Sequence, residues 1–301
     1  MQTSPSAISN GMEKGVTIDF NAHAEAFTAR YVRLIVTAAD GHWLDAAVTS
    51  HCGFGTSVIG CDCEIAVERR LSDSESPDGR PGTAVLAFGF KAAALGKAVA
   101  KRVGQTILTC PTAAIFDGLP DEAERVALGD YLRYFGDGHE RREDDAWTLP
   151  VMEGEVSFPA TIGIARGVAG GVLLFCGNDQ SKTLTAARQA ADALRDLPGV
   201  ITPFPGGVCR SGSKVGSRYK PLIASTNEAY CPTLAQVVET KLPKGTTCVY
   251  ELVINGVDEQ AVRKAMCAAL QATAAADLLA ITAPDYGGKL GKIRISLSEL
   301  V

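Results

Sequence analysis

The residue of most chemical interest in this 301-residue chain is a glutamate set between two valines. In Cys248-Val249-Tyr250-Glu251-Leu252-Val253-Ile254, strand alternation puts Val249, Glu251 and Val253 on one face and Cys248, Tyr250, Leu252 and Ile254 on the other. A carboxyl among valines is desolvated, which disfavours its charged form and raises its pKa. An acid still protonated near neutral pH can hand a proton to a leaving group. Pairing with an Arg or Lys across the sheet is the commoner fate of such a residue, and the sequence leaves both readings open.

Several loops have the composition of ligand sites. In Gly53-Phe54-Gly55-Thr56-Ser57 two glycines let the backbone approach a ligand closely while the ring stacks on it and the hydroxyls bond a carbonyl; a turn around a buried Phe54 serves equally. Pro203-Phe204-Pro205-Gly206-Gly207 and Ser211-Gly212-Ser213-Lys214-Val215-Gly216-Ser217 follow a strand, where α/β chains place binding loops. Their backbone N–H groups, hydroxyls and Lys214 suit carboxylates or a phosphate, although no GxxxxGK[ST] loop occurs. Ser225, Thr226, Asn227 and Tyr230 lie in a polar, weakly charged run suited to a heterocycle's edge or to turn capping. No metal site is expected: Cys61-Asp62-Cys63 has no second pair, and the four histidines lack ligand spacing. GxSxG is absent, and Cys231 reads as a structural thiol.

Around these residues the pattern alternates strands and helices. Strands are expected over 29–38, 56–67, 83–90, 103–109, 172–176, 199–204, 247–254, 278–282 and 292–297, with helices over 41–48, 91–102, 180–194 and 258–275. The charged stretch 118–147 reads as a solvated excursion and places a lobe boundary at its end. Cys110-Pro111-Thr112 recurs as Cys231-Pro232-Thr233, a short echo suggesting two related lobes. The net charge of −5 and the absence of a basic stripe point away from nucleic acid. The polar opening and the lack of a long apolar run point to a soluble chain without a secretory leader or membrane span. Nine cysteines, several inside apolar strands, fit reduced thiols in the cytoplasm.

Read in order, these segments, with Pro77-Asp78-Gly79-Arg80-Pro81-Gly82, Phe135-Gly136-Asp137-Gly138, Gly167-Val168-Ala169-Gly170-Gly171 and Gly287-Gly288-Lys289-Leu290-Gly291, resemble the formylmethanofuran:tetrahydromethanopterin formyltransferases over nearly the whole length. The resemblance implies an α+β fold of two similar ferredoxin-like lobes, proximal over 12–147 and distal over 148–301, in a homo-oligomer, dimer or tetramer. It implies formyl transfer between tetrahydromethanopterin N5 and the amine of methanofuran or an analogue. No cofactor is then held tightly, the two coenzymes are substrates, and Glu251 is the catalytic residue. The alanine-rich, mildly charged composition resembles the bacterial methylotroph type, a subunit of a formyltransferase/hydrolase complex that works in formaldehyde oxidation. The resemblance further suggests Gly55, Thr56 and Ser57 for the oxyanion, Phe54 for ring stacking, and Lys214 and Lys289 for acidic coenzyme tails. The alternative role is a non-catalytic scaffold of the hydrolase complex.

Overall fold

The computed structural model describes residues 16–301. Its N-terminal lobe runs β1 (His23–Thr37), α1 (Gly41–Cys52), β2 (Glu64–Leu71), β3 (Gly82–Gly89), α2 (Ala92–Thr106) and β4 (Ala114–Asp117). After it come β5 (Arg125–Ala127), α3 (Gly129–Leu132), β6 (Arg141–Glu143), β7 (Ala146–Val151), β8 (Gly154–Pro159) and β9 (Thr161–Gly163). The C-terminal lobe runs β10 (Ala165–Gly177), α4 (Gln180–Asp192), β11 (Val200–Ile201), the short pair β12 (Lys214–Val215) and β13 (Ala224–Ser225), then β14 (Cys248–Gly256), α5 (Glu259–Ala272), β15 (Ala280–Thr282) and β16 (Ile293–Ser296).

The strand pairings order the N-terminal lobe β4-β1-β3-β2 and the C-terminal lobe β15-β10-β14-β11. Each lobe is therefore a βαββαβ unit with its strands in the same spatial order, the ferredoxin-like arrangement. The lobes are related, but not through the Cys-Pro-Thr echo. Cys110 lies just ahead of β4, whereas Cys231 lies in the long arm before β14, positions that do not correspond between the two units.

The lobes share a strand. The first part of β1 pairs with β16 and β10, and its second part pairs with β3 and β4, so one sheet of nine strands runs through the molecule. Ala24 and Ala26 pack in the C-terminal core, while Val32, Leu34 and Val36 pack in the N-terminal one. The stretch 118–147 is not merely a solvated excursion. Val126, Leu128 and Leu132 are buried in the N-terminal core, and so are Leu149, Phe158 and Ile162 beyond it. A division after residue 147 thus runs through β7, and packing assigns the strands up to β9 to the first lobe.

Two strand expectations also differ. Residues 103–106 continue α2 because Val99, Val103 and Ile107 turn one helical face to the core. Strand β2 begins only at Glu64, since residues 56–63 form turns. Beside the junction of the lobes, Arg33 on β1 makes a two-bond pair with buried Glu68 on β2, at 2.7 Å for each bond. Glu68 also accepts the Gly199 N–H at 2.6 Å. Glu68→Ala would strand a partly buried guanidinium and an amide, and should cost about 3 kcal/mol. Urea unfolding is the measurement; a loss below about 0.5 kcal/mol would show that this inter-lobe tie contributes little.

Candidate active site

Strand β14 carries the site because its two faces meet different surroundings. Leu252 and Ile254 are fully buried in the C-terminal core, which turns Val249, Glu251, Val253 and Asn255 to the opposite face. Glu251 pairs with Leu174 of β10 on one side. On the other it forms a bridge with Cys209, with both backbone hydrogen bonds at 2.8 Å. The Glu251 side chain lies where two clefts meet, one of about 320 Å³ and one of about 170 Å³, yet the residue is only 7% exposed. Burial pushes its carboxyl up to about 7, partly opposed by a hydrogen bond from the Cys209 thiol. No ion pair to Glu251 occurs among the described residues, so the cross-sheet pair with an Arg or Lys does not form there.

The larger cleft lies between the lobes. Phe27, Ser57, Ile59, Glu64 and Phe90 come from the N-terminal side; Glu251, Val253, Ser213, Lys214, Tyr286 and Lys289 come from the C-terminal side. The loop carrying Tyr286 and Lys289 is fixed from behind. Fully buried Glu25 on β1 accepts the N–H groups of Tyr286, Gly288 and Leu290 at 2.6, 2.7 and 3.1 Å. Gly287 and Gly288 take positive φ, which lets the chain wrap this carboxylate. The Tyr286 hydroxyl donates to the Ser213 carbonyl at 2.8 Å, joining two of the lining loops. The smaller cleft is lined by Cys209, Ser211, Asn227, Tyr230, Cys231 and Pro232.

The candidates from the sequence divide accordingly. Ser57, Ser213, Lys214 and Lys289 line the larger cleft, and Asn227 and Tyr230 line the smaller. Gly53, Phe54, Gly55 and Thr56 line neither. Phe54 has φ 57° and is 81% exposed, because Arg102 holds the carbonyls of Gly53 and Phe54 at 2.8 Å each and turns the ring outward. Gly55 has no room for a side chain beside Ile65, so its glycine serves packing. Pro205, Gly206 and Gly207 form a 3-10 turn behind Phe204, which itself reaches the cleft. Ser225 donates to the Gly216 carbonyl at 2.7 Å, and Thr226 lies 3.4 Å from the Cys231 sulfur; both shape the arm without lining a cleft. Lys214 is paired with Glu228 at 2.7 Å. Of the Cys61-Asp62-Cys63 run, Asp62 is tied to Arg102 and Cys63 is buried in the core.

Sequence reasoning missed Glu64, Asn255, Glu25 and Tyr286. Asn255 was within reach: extending the alternation by one further step places it on the Glu251 face. Nothing local marks Glu64, whose partner lies in the other lobe.

Comparison with known proteins agrees with this geometry. The family model described as formylmethanofuran-tetrahydromethanopterin formyltransferase matches residues 12–151, and the one described as the proximal lobe of the same family matches 154–300. The name proximal thus falls on the C-terminal lobe, the reverse of the assignment expected from the sequence. The formyltransferase of Rhodopirellula baltica is 46% identical over 299 residues, covering 92% of this chain and 90% of that protein. That of Methylobacillus flagellatus is 45% identical over 298 residues, covering 95% and 98%. The solved formyltransferase of Methanosarcina barkeri superposes with a TM-score of 0.88 at 42% identity, over 96% of this chain and all of that one. A chain of the formyltransferase/hydrolase complex of Methylorubrum extorquens, solved with methylofuran, superposes equally well at 41% identity, over 95% and 99%. Two βαββαβ lobes, a buried acid at their junction and matches spanning both lobes make this chain a member of the formylmethanofuran–tetrahydromethanopterin formyltransferase family, and so an enzyme of formyl transfer.

Proposed function

We propose that Glu251 is the proton donor of a formyl transfer between tetrahydromethanopterin N5 and the primary amine of methanofuran or an analogue. The observation that carries this reading is a carboxyl buried at the meeting point of two clefts, where burial pushes it up to about 7. The amine attacks the formyl carbon of the N5-formyl donor and forms the new C–N bond, giving a tetrahedral oxyanion. The bond to N5 then breaks as Glu251 delivers its proton to that nitrogen. The attacking nitrogen gives up a proton in turn, which restores the acid, so overall one proton moves from the amine to N5. The reverse reaction follows the same path. Formamides are weak electrophiles, so holding the two amines in line and solvating the oxyanion must supply most of the rate. The Ser57 hydroxyl is the group of the Gly55-Thr56-Ser57 loop suited to the oxyanion, being the one that reaches the cleft. Lys289 and Lys214 suit the acidic tail of a coenzyme.

In this reading the chain works with other subunits, as the Methylorubrum complex does, and the hydrolase partner disposes of the formyl product. Support for an oligomer comes from the arm over 210–250, which contains no buried residue yet exposes Val215, Tyr219, Leu222, Ile223 and Val237. Such an apolar surface is normally covered. All nine cysteines are unpaired, which fits the cytoplasm as the compartment, and among the described residues no helix is long and apolar enough to cross a membrane.

Glu251→Gln keeps the shape and removes the proton donor. It should lower kcat by about 10²- to 10⁴-fold with both coenzymes still bound, and wild-type kcat should fall as pH rises past about 7. Near-normal turnover of the variant would reject the acid role. Burial of the acid also predicts a stability profile. The folded chain holds this proton up to about pH 7 while the unfolded chain releases it near 4.5. Its contribution is thus complete below pH 4.5 and is lost as pH rises through 7. Relative to wild type, Glu251→Gln should gain about 3 kcal/mol between pH 4.5 and 8, read from urea titrations; parallel profiles would mean that the acid titrates normally.

A further inference from the structure

The lining of the larger cleft holds a second carboxyl, Glu64, which the mechanism above does not use. It opens β2, and the residue is 8% exposed. Each of its oxygens receives one donor from the protein: Oε1 takes the Val58 N–H at 3.1 Å, and Oε2 takes the Asn255 side-chain amide at 2.5 Å. The Asn255 amide is itself oriented, because its oxygen accepts the Gly170 N–H at 3.1 Å. The group therefore presents two fixed acceptor oxygens, each with a lone pair left over.

Its neighbours along the cleft are apolar and flat. Phe27 and Phe90 pack ring to ring at 5.4 Å with a 31° tilt, and Val58, Ile59 and Gly170 complete this end. Gly170 has φ 91°, and a side chain there would press on the Phe27 ring at 3.2 Å, so the floor stays low. Asn255 stands four residues from Glu251 on the same strand face, about 13 Å along β14. A fused bicyclic ring with a hydrogen bond at each end spans most of that length.

We propose that Glu64 recognises the pyrimidinone edge of the pterin, accepting from its ring N–H and its exocyclic amino group, with the rings of Phe27 and Phe90 flanking the bicycle and N5 directed toward Glu251. A pair of adjacent N–H donors in one plane is what two coplanar carboxylate oxygens select. Of the two coenzymes, the pterin carries that pair. The smaller cleft, on the other side of Glu251, then receives the furan amine. This assignment rests on the formyl-transfer reading, whose substrates it distributes between the clefts. Burial pushes the Glu64 carboxyl upward, and two incoming N–H donors would offset that by favouring its ionised form.

The test is equilibrium binding of tetrahydromethanopterin, and of an analogue lacking the 2-amino group, to the full chain and its Glu64→Gln and Glu64→Asp variants, with folding checked by melting temperature. Wild type should bind the analogue about 10- to 100-fold more weakly than the parent pterin. Glu64→Gln should weaken the parent pterin by a similar factor and abolish the difference between the two ligands, and Glu64→Asp should restore part of it. The KM for the furan coenzyme should not change. A Glu64→Gln variant that still discriminates between the ligands, or that loses kcat at unaltered pterin affinity, overturns the assignment. Failure of the wild-type chain to bind either pterin would instead overturn the formyl-transfer reading itself, which separates the two.

Discussion

Strand β14 has to satisfy a core on one side and a cleft on the other, and the position of Glu251 follows from that demand. Leu252 and Ile254 are locked into the C-terminal core, so a slip of one residue would bury the carboxyl among leucines and expose the leucine to solvent. The register with β10 on one edge and the bridge to Cys209 on the other fix the backbone that carries the acid, which remains buried. Its high pKa is thus a property of the fold rather than of a neighbouring charge, since burial is the cause that raises it.

The same architecture brings the second set of groups to the cleft. Because β1 belongs to both lobes, it can present Phe27 at the cleft and, from Glu25, hold the loop that bears Tyr286 and Lys289. Glu68 and Glu64 on β2 reach across to Gly199 and Asn255 of the other lobe. Three buried glutamates therefore tie loops and lobes together through hydrogen bonds, and the fourth, Glu251, is left without a charged partner. Glu25, Glu64 and Glu68 each take donors from distant segments, whereas Glu251 takes only the Cys209 thiol against its burial.

Much of this was legible in the chain itself. Period-two alternation was enough to put Glu251 on a valine-lined face, and the expected strand–helix–strand–strand order over 247–297 agrees with the ferredoxin-like unit that the family resemblance implies. The cuts and pairings were not. Val103 and Ile107 look like strand residues in isolation, but tertiary packing of Val99 and Val103 on one helical face decides for helix. The Phe54 loop has the composition of a stacking site, yet its ring direction is set by Arg102, a residue 48 positions away. Glu64 finds its partner 191 residues along the chain, and no local pattern encodes such a meeting.

The central claim, that Glu251 is a neutral acid in the resting enzyme, can be measured without turnover. Isotope-edited infrared difference spectra of the full chain with ¹³C-labelled glutamate, taken across pH 4 to 9 and compared with Glu251→Gln, isolate the stretch of this one carboxyl. A protonated C=O band that persists at pH 6 and disappears around pH 7 is the predicted result. A band already lost by pH 5 would show an ordinary carboxylate and contradict the account.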